Sequence, residues 1–370
     1  MNANASDESN IHALSLKAPA VNVNPGREYA TNTRHWQGIP GIERTSSGRL
    51  YATWYSGEKG EMPGNYVLVT RSDDDGLTWT EPVLVIDPGI PVRAFDPVLW
   101  VDPRGRLWLF WAQNQGGWNG RGGVWFIRTD SPDSDSPEWT APRRIGNGVM
   151  MNKPHVRTDG EWLLPIAVWG TKPPFLPELK QEALSNVFAS TDEGETFVRR
   201  GGADVPHRCY DEQMTVDRQD GSLWMLVRTS YGIGQSTSLD GGVTWSPGVP
   251  TGIAGPTSRF HIRRLASGRL LLVNHLGFTG RSHLTASLSD DDGQSWTKHL
   301  LLDERSDVSY PDATVAADGY IRIIYDRERH KAREILFACV TEADIVAGTL
   351  VSPGSYLKRL VNKIPAEELP

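Results

Sequence analysis

"SLDGGVTW", residues 238–245, decides the fold, because it is not alone in the chain. "SDDDGLTW" starts at Ser72, "STDEGETF" at Ser190 and "SDDDGQSW" at Ser289. A serine, an acid, a glycine and an aromatic recur at fixed spacing. Each type suits a tight turn. The carboxylate accepts hydrogen bonds from turn amides, the glycine takes a positive φ, and the aromatic packs on a neighbouring element. The octet therefore reads as scaffold, with Asp74, Asp192, Asp240 and Asp291 as structural residues, and the chemistry must be sought elsewhere.

A second repeat runs in phase with the first. Short alternating runs rich in β-formers flank a glycine turn, as in "VDPRGRLWLFWA" and "VDRQDGSLWMLV". The turn glycines are Gly48, Gly105, Gly160, Gly221, Gly268 and Gly319, spaced 47 to 61 residues apart. Each run reads as a β-hairpin. Six hairpins, each followed by another strand pair, predict an all-β, six-bladed β-propeller of four-stranded antiparallel blades. The propeller is expected over residues 31–350. An N-terminal extension (1–30), partly flexible or closing the ring, precedes it, and a C-terminal tail (351–370) follows. Helix is expected only weakly, at "PPFLPELKQEAL" and "EADIVAG". The second blade keeps a degenerate octet, "TDSPDSDSPEWT", ending at Trp139.

The repeat S-x-D-x-G-x-T-W resembles the Asp-box, or BNR repeat, of the sialidase superfamily. The resemblance covers the chain from about Arg34 to Ala347. It implies a propeller whose boxes lie between the two outer strands of a blade.

Composition narrows the partners. The formal net charge of -7 disfavours nucleic acid and anionic membranes. No run approaches 18 apolar residues, so no membrane-spanning helix is expected. The N-terminus lacks a basic and an apolar region of signal-peptide type. A cytoplasmic location is therefore expected, or a secreted one if a leader was trimmed. Cys209 and Cys339 do not make a disulfide framework. No H-E-x-x-H or cysteine cluster occurs, so neither metal nor other cofactor is expected. A monomer or small homo-oligomer is expected.

In a propeller the first strand of each blade lines the channel. Nine residues before each turn glycine stand Ile39, Asp96, Met151, Glu212, Arg259 and Tyr310. Most are ionisable where a packed core would be apolar. Arg34, His35, Gln37, Arg93, Lys153, His155, Tyr210, Asp211, His261 and Asp312 stand beside them. Ionisable groups from separate blades converging on one concavity suit a polar ligand.

The resemblance implies roles for some of them. "DEQMTVDRQDGSLWMLVR" is similar to the segment that carries the family's Glu and one Arg, here Glu212 and Arg228. "GRSHLTASLSDDDGQSW" offers a second Arg, Arg281, and "SYPDATVAADGYIRIIY" the nucleophile, Tyr310. A tyrosine hydroxyl with a pKa near 10 is a poor nucleophile until a carboxylate takes its proton. Paired arginines suit a substrate carboxylate. The chain departs from the family in two places. Gly38 in "HWQGIPGIE" stands where the first-blade arginine is found, and the loop that carries the acid/base Asp, here "YSGEKGEMPGNY", has only Glu58 and Glu61.

Three functions are compatible with this pattern. The first is an exo-glycosidase acting on a terminal acidic sugar of a glycan or oligosaccharide. It would use Tyr310, Glu212 and Asp96 as catalytic residues. Arg228, Arg281, Arg93, Arg259, His35, Gln37, His155 and His261 would bind substrate. The second is a uronate lyase or inverting hydrolase using histidine, tyrosine and arginine. The third is a non-catalytic glycan-binding propeller.

Overall fold

The computed structural model describes residues 13–115, 120–169 and 176–365. Residues 1–12 of the expected extension and 366–370 of the expected tail lie outside these, as does the start of the weak helix reading at Pro173–Phe175. Among the described residues six antiparallel sheets surround one channel. The inner strands of blades one, two, four, five and six are Trp36–Arg44, Val92–Val101, Met214–Asp217, His261–Arg264 and Val308–Val315. In blade three that place is shared by two short pieces, Val149–Met150 and His155–Val156, both paired with Trp162–Ala167. No helix among the described residues is long and apolar enough to cross a membrane.

Each blade arises locally. The alternating runs pair through a turn whose glycine has positive φ, as at Gly221 (φ 84), where a side chain would be strained. Apolar side chains emerging from both faces of every sheet then need cover. They find it in the adjacent blade, and six buried apolar clusters result, one in each gap of the ring. Trp108 and Trp162 meet edge to face at 5.6 Å between blades two and three. An aromatic pair of this geometry adds roughly 0.5–1.5 kcal/mol beyond the apolar area it buries.

The octets form as read. Asp240 Oδ1 accepts from the Thr244 amide (2.9 Å) and Oδ2 from the Thr244 hydroxyl (2.6 Å), while the Ser238 hydroxyl accepts from the Gly242 amide (2.8 Å). These donors hold the Asp240 carboxyl down at about 2. Each box also packs on its neighbour. A Cβ at Gly293 would fall 2.6 Å from the Trp224 ring of the preceding blade. In blade six the corresponding connection is the helix Glu342–Ala347, closed by a capping box between Thr341 and Asp344. The "PELKQE" stretch is a 3₁₀ helix, Pro177–Glu182.

The blades reach beyond 31–350. Tyr356–Lys363, read from sequence as tail, is the outer strand of blade six, and Ala20–Asn22 adds a fifth strand to blade one. The apolar run Glu334–Thr341 would otherwise be an uncovered edge. Tyr356 packs on Phe337 there at 5.7 Å. Among the described residues no strand is exchanged between the two ends of the chain. Blade six meets blade one through the apolar cluster of that gap and, at its inner strands, through carboxylates. Asp326 accepts from the Ile39 amide (2.8 Å), and Asp312 from the Ile42 amide (2.9 Å).

Candidate active site

The inner strands enter the channel bent. Ile39, Asp96, Glu212 and Tyr310, all at the same offset from their turns, have φ of 60, 49, 44 and 56. For non-glycine residues this conformation costs about 1–3 kcal/mol each. In blades one, two and six the strand register shifts at this point, between Gly38 and Gly41, Phe95 and Val98, and Ser309 and Asp312. These shifts are bulges, and a proline follows each strained residue: Pro40, Pro97 and Pro311. Proline inside a strand is confined to bulges and edges, so these prolines were the available sign of the bend. The bend turns the side chains into a cavity of about 180 Å³ lined by Ile39, Glu61, Asp96, Met151, Trp169, Tyr210, Glu212, Arg228, Arg281 and Tyr310.

At its centre Arg228 Nη1 donates to Glu212 Oε1 at 2.5 Å and to the Tyr310 hydroxyl at 3.3 Å. The other Glu212 oxygen is buried and accepts no hydrogen bond from a described residue. Burial pushes the Glu212 carboxyl up, opposed by Arg228, Arg259 and Arg281. A carboxylate so raised is a better proton acceptor. The Glu212 backbone is pinned, its carbonyl accepting from Asn152 Nδ2 at 2.7 Å. The Arg281 guanidinium carbon lies 5.0 Å from the Tyr310 ring, and Arg281 Nη2 donates to the Thr257 carbonyl at 3.2 Å. Tyr210 and Trp169, edge to face at 5.0 Å, build an apolar wall with Met151.

Two further carboxyls line the cavity. Asp96 is 2% exposed. Burial, reinforced by Glu61, pushes it up to about 8, so it carries a proton at neutral pH. Glu61 lies on the loop between the second and third strands of blade one, its side chain 33% exposed.

Other residues singled out from sequence lie elsewhere. Arg259 forms part of the floor. Its guanidinium donates to the carbonyls of Met151 (3.0 Å), Pro40 (2.6 Å) and Tyr310 (2.7 Å), tying three blades together. Arg93 stacks at 4.3 Å on Phe95, outside the cavity lining. Gln37 is buried and donates to the Arg333 carbonyl at 2.8 Å, and His35 is exposed at the start of its strand. His155 and His261 point the other way. They line a separate cavity of about 290 Å³ with Lys153 and Asp217. It lies farther along the inner strands, toward the hairpin turns. No histidine among the described residues lines the Tyr310 cavity. The reason is periodicity: His261 and His155 stand two and four residues beyond the bent position, so their strands carry them past it. Lys153 is a core cation, its Nζ within 3.1 Å of Glu43 and Asp312 and 2.6 Å from two carbonyls.

Glu61 and Arg329 were not among the residues chosen from sequence. In the sequence Glu61 is only one of two carboxylates on the loop that follows the first hairpin. Arg329 lies outside both repeats, and its position relative to Tyr310 had no local signal. Among the described residues no group of three or more His, Cys, Asp or Glu is arranged to hold a metal ion.

The model of the BNR repeat-like domain matches residues 48–323. A sialidase of Micromonospora viridifaciens is 28% identical in an alignment of 346 positions that covers 81% of this chain and 50% of that protein. The chain thus spans about half the length of that relative. Among solved structures, a Hadza microbial sialidase superposes with a TM-score of 0.68 at 21% identity, covering 86% of this chain and 69% of that one. The intramolecular trans-sialidase from Ruminococcus gnavus superposes with a TM-score of 0.64 at 16% identity, covering 88% and 98%. At these identities the structural likeness concerns the fold.

Proposed function

Since the chain belongs to the BNR repeat-like family, within the sialidase superfamily, we propose that it is an exo-glycosidase that removes a terminal carboxylated sugar from a glycan. The observation that carries this reading is the shared hydrogen bonding of Tyr310 and Glu212 on Arg228. A tyrosine between a raised carboxylate and several arginines suits attack on an anomeric carbon that bears a carboxylate. An anionic nucleophile there would be repelled, whereas a phenol stays neutral until its proton leaves.

In this reading the Tyr310 oxygen bonds to the anomeric carbon as its proton passes to Glu212. The glycosidic bond breaks, and the leaving oxygen takes a proton from Glu61. Water, giving a proton back to Glu61, then attacks the same carbon. Tyr310 leaves and recovers its proton from Glu212. Two displacements at one carbon retain configuration. Glu61 is chosen over Asp96, the choice made from sequence, because the leaving group departs toward solvent and Glu61 stands at the mouth. Asp96, neutral and on the floor, serves as a hydrogen-bond donor to a substituent of the sugar ring. The absence of histidine from the described lining supports hydrolysis over a lyase reaction.

The test is incubation with sialosides and with uronate-terminated oligosaccharides, followed by proton NMR and ultraviolet absorbance. The expected result is a free acidic sugar appearing first as the retained anomer, with no unsaturated uronate. An ultraviolet-absorbing 4,5-unsaturated product, or no release from any acidic glycan, would overturn it.

A further inference from the structure

Gly38 raises a question that its backbone does not answer. It lies in the inner strand of blade one, paired opposite Tyr55. It is not among the glycines with positive φ, so no left-handed conformation demands glycine there. What demands it is space. A Cβ at Gly38 would fall 2.2 Å from Cδ and 2.8 Å from Cγ of Arg329, and 3.0 Å from Asp326 Oδ2. The aliphatic stem of an arginine from blade six lies directly on the bare backbone of blade one.

That arginine is aimed with care. It follows the second strand of blade six, Tyr320–Arg327, in a turn built around Glu328 (φ 45). The Glu328 carbonyl accepts from the amides of Lys331 (2.8 Å) and Arg333 (2.9 Å), and its own amide donates to Asp307 (3.0 Å). The guanidinium carbon then lies 4.8 Å from the Tyr310 ring. Nη1 donates to Glu61 at 2.8 Å, and Nε is 3.8 Å from Asp326. Arg329 also lines, with Arg281, a second concavity that adjoins the first through Arg281.

Four arginines therefore surround Tyr310. Arg259 is taken up by three backbone carbonyls and is no ligand for substrate. Arg228, Arg281 and Arg329 remain, one each from blades four, five and six. A substrate carboxylate on the carbon that Tyr310 attacks must lie beside the tyrosine hydroxyl, within the span of these three.

We propose that Arg329 is the third arm of the substrate-carboxylate clamp, and that Gly38 is glycine to let it pass. This deepens, and rests on, the reading of the cavity as a site for a carboxylated sugar. It assigns a specificity-determining role to a residue outside the repeat pattern. The ion pair with Glu61 is the resting partner of Arg329. Substrate carboxylate competes for the same guanidinium, and the released Glu61 carboxylate takes up a proton from solvent before giving it to the leaving oxygen.

The test is calorimetric titration of the full chain with the 2,3-unsaturated glycal of N-acetylneuraminic acid and, separately, with its carboxylate methyl ester. Wild type is expected to prefer the acid. Arg329→Gln should lose about tenfold or more in affinity for the acid, the scale of one charge-assisted hydrogen bond, with ester binding unchanged. Arg329→Lys should recover part of the loss. Gly38→Ala, which keeps Arg329 but obstructs its stem, should reproduce the loss and covers the case that Arg329→Gln does not fold. An acid-over-ester preference equal to wild type in Arg329→Gln, or in Gly38→Ala if that is the variant that folds, overturns the clamp role and leaves the glycosidase reading standing. Wild type that binds neither probe overturns the carboxylated-sugar reading, and the clamp with it.

Discussion

Tyr310 and Glu212 share a single donor nitrogen. Arg228 Nη1 is 3.3 Å from the tyrosine hydroxyl and 2.5 Å from a glutamate oxygen, although the two residues come from blades six and four. The second Glu212 oxygen accepts from no described residue. One carboxylate oxygen is thus left without a donor beside the shared arginine, as the proposed proton transfer from the phenol requires.

Tyr310→Phe is therefore expected to lower kcat by about 100-fold or more, the usual scale for losing a proton-transfer or nucleophilic group. Glu212→Gln should do much the same, and the double variant little worse than the poorer single one, because the pair acts as a unit. Steady-state kinetics with a melting curve for each variant checks this. Additive losses would contradict the shared role.

Glu61→Gln should separate substrates by leaving group. With an alkyl aglycone, which needs protonation, kcat should fall about 100-fold. With a nitrophenyl aglycone, which does not, the fall should be small. Equal losses on both would return the acid role to Asp96.

Asp96 supplies a pH signature. Its folded-state pKa, raised to about 8 by burial, lies above the ordinary carboxyl value of about 3.9. The folded chain keeps a proton that the unfolded chain releases. The stability linked to this group is complete below about pH 3.9 and is lost as pH rises through about 8. Asp96→Asn, which keeps a neutral side chain, should melt above wild type at pH 9. It should also lack the alkaline fall in kcat/KM near pH 8. Parallel wild-type and variant profiles would refute the assignment.

Asp240→Ala tests the scaffold reading of the octets. It removes bonds to Thr244 and Ser238 at the end of the blade opposite Glu212. Melting temperature should fall at pH 7 with kcat unchanged. The folded pKa is depressed to about 2, so this stability is present above the unfolded carboxyl range and lost as pH falls through about 2. The difference between variant and wild type should accordingly shrink on acidification. An inactive variant of unchanged melting temperature would sink the scaffold reading.

Lys153→Ala should destabilise by about 3–5 kcal/mol, because it leaves Glu43 and Asp312 buried without their cation. Denaturant titration measures this. Loss of activity without loss of stability would instead place Lys153 in the chemistry.

The sequence by itself determined the ring. Two in-phase repeats carry the hairpins, the turns and the blade number, because each is local: a glycine at a turn, a carboxylate two residues after a serine, an alternating strand. The same register brought Asp96, Glu212 and Tyr310 to one offset, and the offset proved to be the bend at the channel mouth. What the sequence could not decide depends on which blades face each other. His155 and His261 sit on the right strands but beyond the bend, so they open toward the far end. Arg259 has the right offset, yet its donors meet three backbone carbonyls that only ring closure brings together. Tyr356–Lys363 becomes a strand because blade six has an open edge beside it. Gly38 and Arg329 come close only when blade six docks on blade one. A missing side chain in one blade, and the arginine from another that lies over it, are a steric fact of the closed ring, and no local pattern encodes it.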